Sequence, residues 1–328
     1  MKSSVRFSAA APLLGGLLLF AGILFHADTA VAYAKQGLLL CGNLILPSLF
    51  PFFVLTFLLN DLGLPGYLGR FTEPLMQKLF GISGTGAAAF LMGITGGYPL
   101  GAGCIADLVQ KGELSPDEGD RLLLFCNNSG PAFLIGAVGV GIFHSGGVGL
   151  LLYAVHVFSA LVTGLFLSGR NKIFGCRSRS VLIAPLSLSQ SLPDAVQRSA
   201  LQMLTICGFV VTFNVLIGLL DSSGVFSFLY GLLAQYTGYE LRLTRALCTG
   251  ILELGCGIGT LAGAARTPAN LAVCGFLTGF GGISVAMQTA AVLAGTKIKI
   301  SRHFVGRFSS GCIAAFTLYV IALLMGWR

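Results

Sequence analysis

The chain has 328 residues, of which 55% are hydrophobic and only 10% are charged. This composition excludes an ordinary water-soluble domain and predicts an all-α polytopic membrane protein. The net charge of +8 comes without a nucleic-acid motif, so we expect no nucleic-acid partner. The sequence contains no nucleophile elbow, zinc-binding helix motif or phosphate loop, and its cysteines and histidines lack metal-ligand spacing. We therefore predict neither an enzyme nor a protein with a cofactor.

The N-terminal segment, residues 1–35, is predicted to form a membrane helix. Lys2 and Arg6 precede an apolar run near residues 9–27 that is long enough to span a bilayer. The residues 30–32, Ala-Val-Ala, resemble a signal-peptidase site, which leaves cleavage as the alternative. A retained helix is the preferred interpretation, because the run is long and further spans follow.

Further apolar runs follow in chain order. Those able to span a bilayer lie near residues 36–60, 122–143, 147–168, 199–220, 246–264 and 304–327. The segments 63–83 and 224–238 look interfacial or re-entrant. The stretches 84–108 and 268–295 are also long enough to span, but both are interrupted by glycines.

A basic polar connection, residues 169–197, divides these runs into two groups. Its positive charges predict a cytoplasmic loop. The groups on either side are predicted to be two repeats, residues 36–168 and residues 198–328. Both the N-terminus and this loop can be cytoplasmic only if the stretch 84–108 enters the membrane and leaves it on the same side. We therefore expect that stretch to form a re-entrant hairpin.

The sequence Gly96-Gly97-Tyr98-Pro99 marks the expected bend of this hairpin. Glycine and proline weaken a helix interior, and lipid cannot satisfy the polar groups of a broken backbone. The bend must therefore line a protein-buried or water-filled cavity. Transporters build substrate sites at such breaks.

A second polar set interrupts the apolar run 122–143. Asn127, Asn128 and Ser129 stand just before Pro131, whose ring displaces the carbonyl of Asn127 from the helix ladder. The freed carbonyl and the two side-chain amides could bind a polar solute or an ion. The alternative is a kinked helix whose amides bond to a neighbouring helix.

Glu253 lies deep in the apolar run 246–264. A carboxylate in such a place takes up a proton or pairs with a cation. It is therefore a candidate group for coupling transport to a proton or a cation. The alternative is a structural ion pair with Arg245 or Arg266.

Weak internal similarity indicates a duplication. A shift of 186 residues aligns the stretch 84–108 with 268–295, placing Gly93 on Gly279 and Gly96 on Gly282. Upstream, residues 53–57 resemble residues 209–213 at a different shift of 156. Internal repeats with interrupted helices point to a transporter site.

In the second copy, Ser284 and Gln288 lie one helical turn apart and share a face. The N–H groups of the half-helix that begins near Gly282 would suit a carboxylate. Glycine packing alone is the alternative.

The charge rule predicts that the two repeats are inverted relative to each other. Four basic residues oppose this arrangement, because in it they would lie on the non-cytoplasmic side of the membrane: Lys297, Lys299, Arg302 and Arg307.

Three motifs of the first repeat resemble the gate, or nucleoside-recognition, module of the YlbJ family of sporulation membrane proteins and of the related spore maturation proteins A and B. They are Gly96-Gly97-Tyr98-Pro99-Leu100-Gly101-Ala102, Gly112-Glu113-Leu114 and Phe125-Cys126-Asn127-Asn128-Ser129-Gly130-Pro131-Ala132-Phe133. Glu253 and the segment 281–288 resemble the second module, so that the resemblance covers roughly residues 40–325.

The resemblance implies an integral membrane protein of spore maturation that moves dipicolinic acid across the outer forespore membrane. Distant similarity of the family to concentrative nucleoside transporters makes nucleosides the alternative substrates. A non-transporting membrane scaffold, in which the glycines serve helix packing alone, is the alternative from a different class.

We predict a carrier with a small-molecule solute and the lipid bilayer as partners, and leave open a coupling proton or cation and a homo-oligomer. The predicted substrate-binding residues are Gly96, Gly97, Tyr98, Pro99, Asn127, Asn128, Ser129, Glu253, Gly282, Ser284 and Gln288. A carrier requires four polar residues around one cavity, whereas a scaffold would let them scatter: Asn127, Asn128, Glu253 and Ser284.

Overall fold

The computed structural model describes residues 2–169 and 187–327, and within them the chain is helical and contains no strand. The helices of the N-terminal half are α1 (Lys2–Phe25), α2 (Ala27–Leu40), α3 (Leu46–Asp61), α4 (Leu64–Phe80), α5 (Gly84–Gly96), α6 (Leu100–Gln110), α7 (Pro116–Leu123) and α8 (Gly146–Leu167). The helices of the C-terminal half are α9 (Leu188–Ser222), α10 (Val225–Thr237), α11 (Leu241–Leu252), α12 (Leu254–Thr260), α13 (Pro268–Phe280), α14 (Gly282–Val292) and α15 (Ile300–Leu324). The chain also has π-helical stretches at Cys41–Ile45 and Ala132–Ile142.

The described residues contain five helical stretches long and apolar enough to cross a membrane. These are Ala27–Asp61, Gly146–Leu167, Leu188–Ser222, Pro268–Val292 and Ile300–Leu324. At 1.5 Å per residue, even the 22-residue helix α8 exceeds the hydrocarbon core of about 30 Å. The predicted class is confirmed: the chain is an all-α integral membrane protein.

The N-terminal boundary predicted between residues 35 and 36 falls inside a helix. The π-helical stretch Cys41–Ile45 joins α2 to α3, so that 35 residues form one continuous stretch. The basic segment from Arg170 to Arg179 lies outside the described residues, and its cytoplasmic location stays a prediction.

The order of elements in residues 46–167 recurs in residues 188–324. Each half begins with a long helix (α3, α9) and an amphipathic helix between two glycines with positive φ (α4, α10). Each continues with a pair of short helices (α5 and α6, α11 and α12), a broken helix, and a final long helix (α8, α15). The two halves are therefore built from the same sequence of elements.

Both pairs of short helices are hairpins. In hairpin 1, α6 folds back on α5, and a Cβ added to Gly101 would lie 2.9 Å from the Cα atom of Gly93. In hairpin 2, α12 folds back on α11, and Arg242 donates hydrogen bonds to the carbonyls of Thr260 and Ala262. The tip of hairpin 1 includes the cis peptide bond between Tyr98 and Pro99.

This order of elements changes the predicted alignment of the repeats. The shift of 186 residues paired hairpin 1 with α13 and α14, which are instead a broken crossing helix. The shift of 156 places the tip of hairpin 1 on Glu253, the tip of hairpin 2. The run 246–264 is therefore a hairpin and not a span. The error arose because glycines interrupt hairpins and broken crossing helices alike.

The first broken helix consists of α7 and the stretch Ala132–Ile142 and is not one of the five stretches above. We name it the first crossing helix because it holds the place in the order of elements that α13 and α14 hold in the second half. The chain leaves the helix after Leu123 and resumes it at Pro131, so residues 124–130 are non-helical. In the second crossing helix, Gly281, with φ +87°, separates α13 from α14. The predicted interruptions around 127–131 and at the Gly-Gly pair of the second repeat are confirmed.

Candidate functional site

The tip of hairpin 1 contacts the second crossing helix just before its break. The Tyr98 hydroxyl donates a hydrogen bond of 3.1 Å to the Thr278 carbonyl, and the Ser129 hydroxyl donates one of 3.0 Å to the same oxygen. Carbonyls in the last turn of a helix have no partner within that helix. Tyr98 and Ser129 therefore satisfy a backbone group that the break leaves open. The tip of hairpin 1 therefore lies against the break of the second crossing helix, where a Cβ added to Gly281 would lie 3.1 Å from the Tyr98 hydroxyl.

Glycines let hairpin 1 approach the first crossing helix at its break. A Cβ added to Gly93 would lie 1.7 Å from the Cys126 carbonyl oxygen, and one added to Gly97 would lie 2.8 Å from the nitrogen of Gly130. Gly97 also has a φ of +80°, which side chains other than glycine adopt only with strain. The tip can occupy this place only because these positions carry no side chain.

A cavity of about 70 Å³, enough for several water-sized molecules, lies between these breaks. Its walls at the tips and breaks are formed by Gly96, Gly97, Tyr98, Ser129, Gly130, Glu253, Leu254, Gly255, Val285 and Gln288. An apolar wall comes mainly from α3 and α9 and includes Leu49, Phe53, Ile206 and Val210. The lining thus combines an apolar surface with a few polar groups, the usual character of a small-molecule site.

Glu253 forms the tip of hairpin 2 and is the N-cap of α12. Its carboxylate accepts a 2.6 Å hydrogen bond from the Cys256 backbone N–H and a 3.3 Å bond from the Ser284 hydroxyl. The side chain is buried, and neither predicted arginine pairs with it. Arg245 bonds to Asp221, and Arg266 donates to the Phe143 carbonyl. Glu253 therefore presents a buried carboxylate to the cavity without a cationic partner among the described residues.

The beginning of α14 contributes to the site in three ways. Gln288 lines the cavity, whereas Ser284 lies behind Glu253 and orients it. Gly282 allows close packing on hairpin 2, because an added Cβ would lie 2.9 Å from the Gly250 carbonyl oxygen. Of the pair Ser284 and Gln288, which were expected to share a helix face, Gln288 thus lines the cavity and Ser284 supports a residue that lines it.

Asn127 and Asn128 are buried but do not line the cavity. The Asn127 amide donates a 2.9 Å bond to the Thr289 hydroxyl. The Asn128 Oδ1 atom accepts a 2.7 Å bond from Arg307. Each amide therefore bonds to a different neighbouring helix, which is the alternative that the sequence left open. A role of either amide in binding solute stays a prediction.

The structure divides the predicted binding residues into two layers. Those that line the cavity are Gly96, Gly97, Tyr98, Ser129, Glu253 and Gln288. Those that lie outside the lining are Pro99, Asn127, Asn128, Gly282 and Ser284. Of the four polar residues that a carrier was expected to bring to one cavity, only Glu253 lines it. The other three, Asn127, Asn128 and Ser284, are held in the layer behind it.

The sequence analysis missed a buried basic group behind the first break. Arg307 is fully buried, as are His303 and His156. His303 contacts Asn127, with 3.4 Å between ring nitrogen Nδ1 and the amide nitrogen, and the Ser129 N–H donates a 3.0 Å bond to His156 Nε2. The available signal was the position of Arg307 inside the last apolar run, where a charge is rare.

Comparisons with known proteins agree on the family. The family model described as Gate, nucleoside recognition, matches residues 44–168, which fall within the first repeat. The sporulation integral membrane protein YlbJ of Bacillus subtilis (strain 168) is 30% identical over 326 residues, covering 91% of this chain and 79% of that protein. No solved structure matches the chain. The chain belongs to the YlbJ family of sporulation integral membrane proteins, which carries the Gate domain.

Proposed function

We propose that the protein is a carrier for a small carboxylated solute, and that this solute is dipicolinic acid moving across the outer forespore membrane during sporulation. The family supports a role in sporulation, because the relative from Bacillus subtilis is named a sporulation integral membrane protein. The assignment of dipicolinic acid rests on the resemblance of the motifs and on the chemistry of the site.

One observation carries the proposal: two hairpin tips and two broken helices surround a single cavity. Broken backbone inside an apolar bundle is stable only where protein or a water-filled space satisfies it. Here the breaks supply polar groups to a cavity through Tyr98, Ser129, Glu253 and Gln288. A packing role for the glycines would not require these polar groups to share a cavity.

Glu253 is the group that we assign to coupling. Its carboxylate faces the cavity, and its acceptor bonds come from a backbone N–H and a hydroxyl rather than from a cation. A proton or a small cation can therefore balance its charge in step with the solute. A negatively charged solute would bind beside Glu253 only when that charge is balanced.

Nucleosides are a second candidate substrate class. The description of the matching family model names nucleoside recognition. The cavity also offers aromatic rings at Phe53 and Tyr98 for a base, and the Gln288 amide for its hydrogen-bonding edge.

Uptake into proteoliposomes tests the proposal. The purified protein should take up radiolabelled dipicolinate faster than protein-free vesicles do, and unlabelled dipicolinate should compete better than a panel of nucleosides. Competition by nucleosides alone would assign the second substrate class. Absence of uptake for every solute, from protein that is folded and correctly inserted, would favour the scaffold.

A further inference from the structure

Arg307 is a buried cation whose charge the described protein does not balance. The side chain has no exposed surface, and no carboxylate of residues 2–169 or 187–327 forms an ion pair with it. A guanidinium does not lose its proton in a protein, so it cannot reduce the cost of burial by becoming neutral. Its charge therefore calls for an anion from outside the described chain.

The hydrogen-bonding groups of Arg307 lead to the same conclusion. Of the five N–H donors of a guanidinium, Nη1 uses one on Asn128 Oδ1 at 2.7 Å, and Nη2 uses one on the Leu124 carbonyl at 3.3 Å. Nε has no partner. Both acceptors are neutral oxygens of the first crossing break. The planar set of N–H donors with which a guanidinium binds a carboxylate is thus only partly occupied by hydrogen bonds within the protein.

The two histidines add donors to the same region. His156 accepts a bond at Nε2, so in the neutral ring Nδ1 carries the hydrogen, and Nδ1 has no partner. His303 contacts an amide nitrogen through Nδ1, which leaves Nε2 as its unpartnered donor. Arg307 and both histidines contact three consecutive residues of the first break, Asn127 to Ser129. This layer is therefore rich in donors and poor in acceptors.

The break connects this layer to the cavity. Ser129 lines the cavity, and its neighbour Asn128 holds Arg307. Asn128 Oδ1 occupies a place where an anionic oxygen would form a stronger, charge-assisted bond. An exchange of one acceptor for the other would move a segment that is non-helical in this structure.

We propose that Arg307 is the carboxylate-binding residue of the carrier, and that Asn128 occupies its Nη1 donor until the solute arrives. This inference rests on the proposed function and names the group that recognises the solute's charge. A protonated Glu253 then faces the solute from hairpin 2 without repelling it.

The test compares dipicolinate with dipicolinamide, its neutral diamide, by calorimetry on the full chain in lipid nanodiscs. We expect the wild-type protein to prefer the dicarboxylate by about 10- to 100-fold, as a hydrogen bond between charged groups predicts. Arg307→Lys keeps the charge but loses the planar set of N–H donors, so this preference should fall about 10-fold or more, with binding of the diamide unchanged. Arg198→Lys is the matched control, because Arg198 already pairs with Asp61 and should not affect the preference.

A second variant keeps the test decisive if Arg307→Lys does not fold. Asn128→Ala removes the competing acceptor, so dipicolinate should raise its unfolding temperature more than it raises that of the wild type. Equal stabilisation of both proteins by dipicolinate would overturn the assignment, as would an unchanged preference in Arg307→Lys. Complete displacement of dipicolinate by added potassium chloride would assign the site to an inorganic anion instead. If the wild type binds neither probe, the proposed carboxylate carrier is itself wrong, and the assignment fails with it.

Discussion

Glu253 combines two roles that few residues share, since it caps a helix and faces a cavity as a buried carboxylate. The cap explains how the charge is held, because a backbone N–H at the start of α12 and the Ser284 hydroxyl both donate to it. The same residue is therefore needed for the local fold and is available for chemistry. The two roles can be separated by substitution.

Glu253→Gln keeps a side-chain oxygen for the cap but cannot ionise. We expect the variant to fold with near-normal stability, whereas Glu253→Ala should lose about 1 kcal/mol through loss of the cap. Uptake by Glu253→Gln should no longer respond to an imposed pH gradient. The measurement is the initial rate of dipicolinate uptake with and without the gradient, and an unaltered response would exclude Glu253 as the group that couples transport to protons.

Asn128→Ala leaves the Arg307 Nη1 donor without its acceptor. A buried donor that loses its partner costs about 1–3 kcal/mol, so we expect a lower free energy of unfolding in the absence of solute. Thermal unfolding in detergent measures the effect, with Asn270→Ala as the control, since that amide bonds to a carbonyl at the surface. Equal unfolding temperatures for the two variants would contradict the structural role of Asn128.

At the scale of elements, the site depends on short helices that end where others begin. The tip of hairpin 1 touches both crossing helices, through glycine contacts on one side and through Tyr98 on the other. In a continuous helix the carbonyls accept hydrogen bonds from the same helix, whereas at these breaks they can accept hydrogen bonds from neighbouring elements. The contacts between elements are therefore made by backbone as much as by side chains.

Gly93→Ala tests the contact between hairpin 1 and the first break. The added methyl group would lie 1.7 Å from the Cys126 carbonyl oxygen, so the backbone must move, at a cost of about 3 kcal/mol or more. We expect a strong loss of folded protein in size-exclusion profiles. Gly103→Ala lies on the same hairpin with nothing within 4 Å of the new methyl group, and it should be neutral. Similar profiles for both variants would show that the close approach does not matter.

A double-mutant cycle tests the contact with the second crossing helix. Tyr98→Phe and Ser129→Ala each remove one of two donors to the Thr278 carbonyl, so each should cost about 0.5–1.5 kcal/mol. The double variant leaves that carbonyl with neither donor, and its cost should exceed the sum of the two single costs. Unfolding temperatures of the four proteins measure the coupling, and simple additivity would argue against a shared acceptor.

At the scale of the whole molecule, contacts between the two halves show which connections between helices lie at the same end of the molecule. The Lys299 N–H donates a hydrogen bond to the Asp120 carboxylate, which places the basic connection before α15 beside the middle of α7. Arg266 donates a hydrogen bond to the Phe143 carbonyl. This contact places the connection between α12 and α13 beside the connection that precedes α8. With hairpin 2 formed by α11 and α12, the helical stretch from Pro268 to Val292 is left to cross the bilayer, for which it is long and apolar enough. The basic residues before α15 can then be cytoplasmic, which removes the conflict in the charges of the second repeat.

Labelling of single cysteines tests this arrangement of inverted repeats. In a background from which all nine native cysteines have been removed, Ser178→Cys should react with an impermeant reagent only after the membrane is opened, because its basic loop is predicted to be cytoplasmic. Gly146→Cys, at the first residue of α8 with open space around it, should react in intact cells. Labelling of Ser178→Cys from outside intact cells would contradict the predicted topology.

Composition and local backbone chemistry determined much of this protein from the sequence alone. An apolar chain with few charges must be a membrane protein, and Gly97, Pro99 and Gly281 break helices through their own conformational properties, wherever the helix lies. These effects act within a few residues, so the sequence predicted the class, the family and the breaks at the tip of hairpin 1 and in the two crossing helices. The break at Glu253 was not predicted, because the run 246–264 is apolar enough to span.

Only the tertiary structure decided which breaks form hairpins and which residues share a site. Glycines interrupt both kinds of element, so the sequence could not tell a hairpin from a broken crossing helix. Arg307 and Asn128 are 179 positions apart, and Glu253 and Ser284 are 31 apart. Such contacts depend on how whole helices pack, which no local pattern encodes. The placement of Asn128 on Arg307, and of Glu253 at the cavity, therefore came from packing.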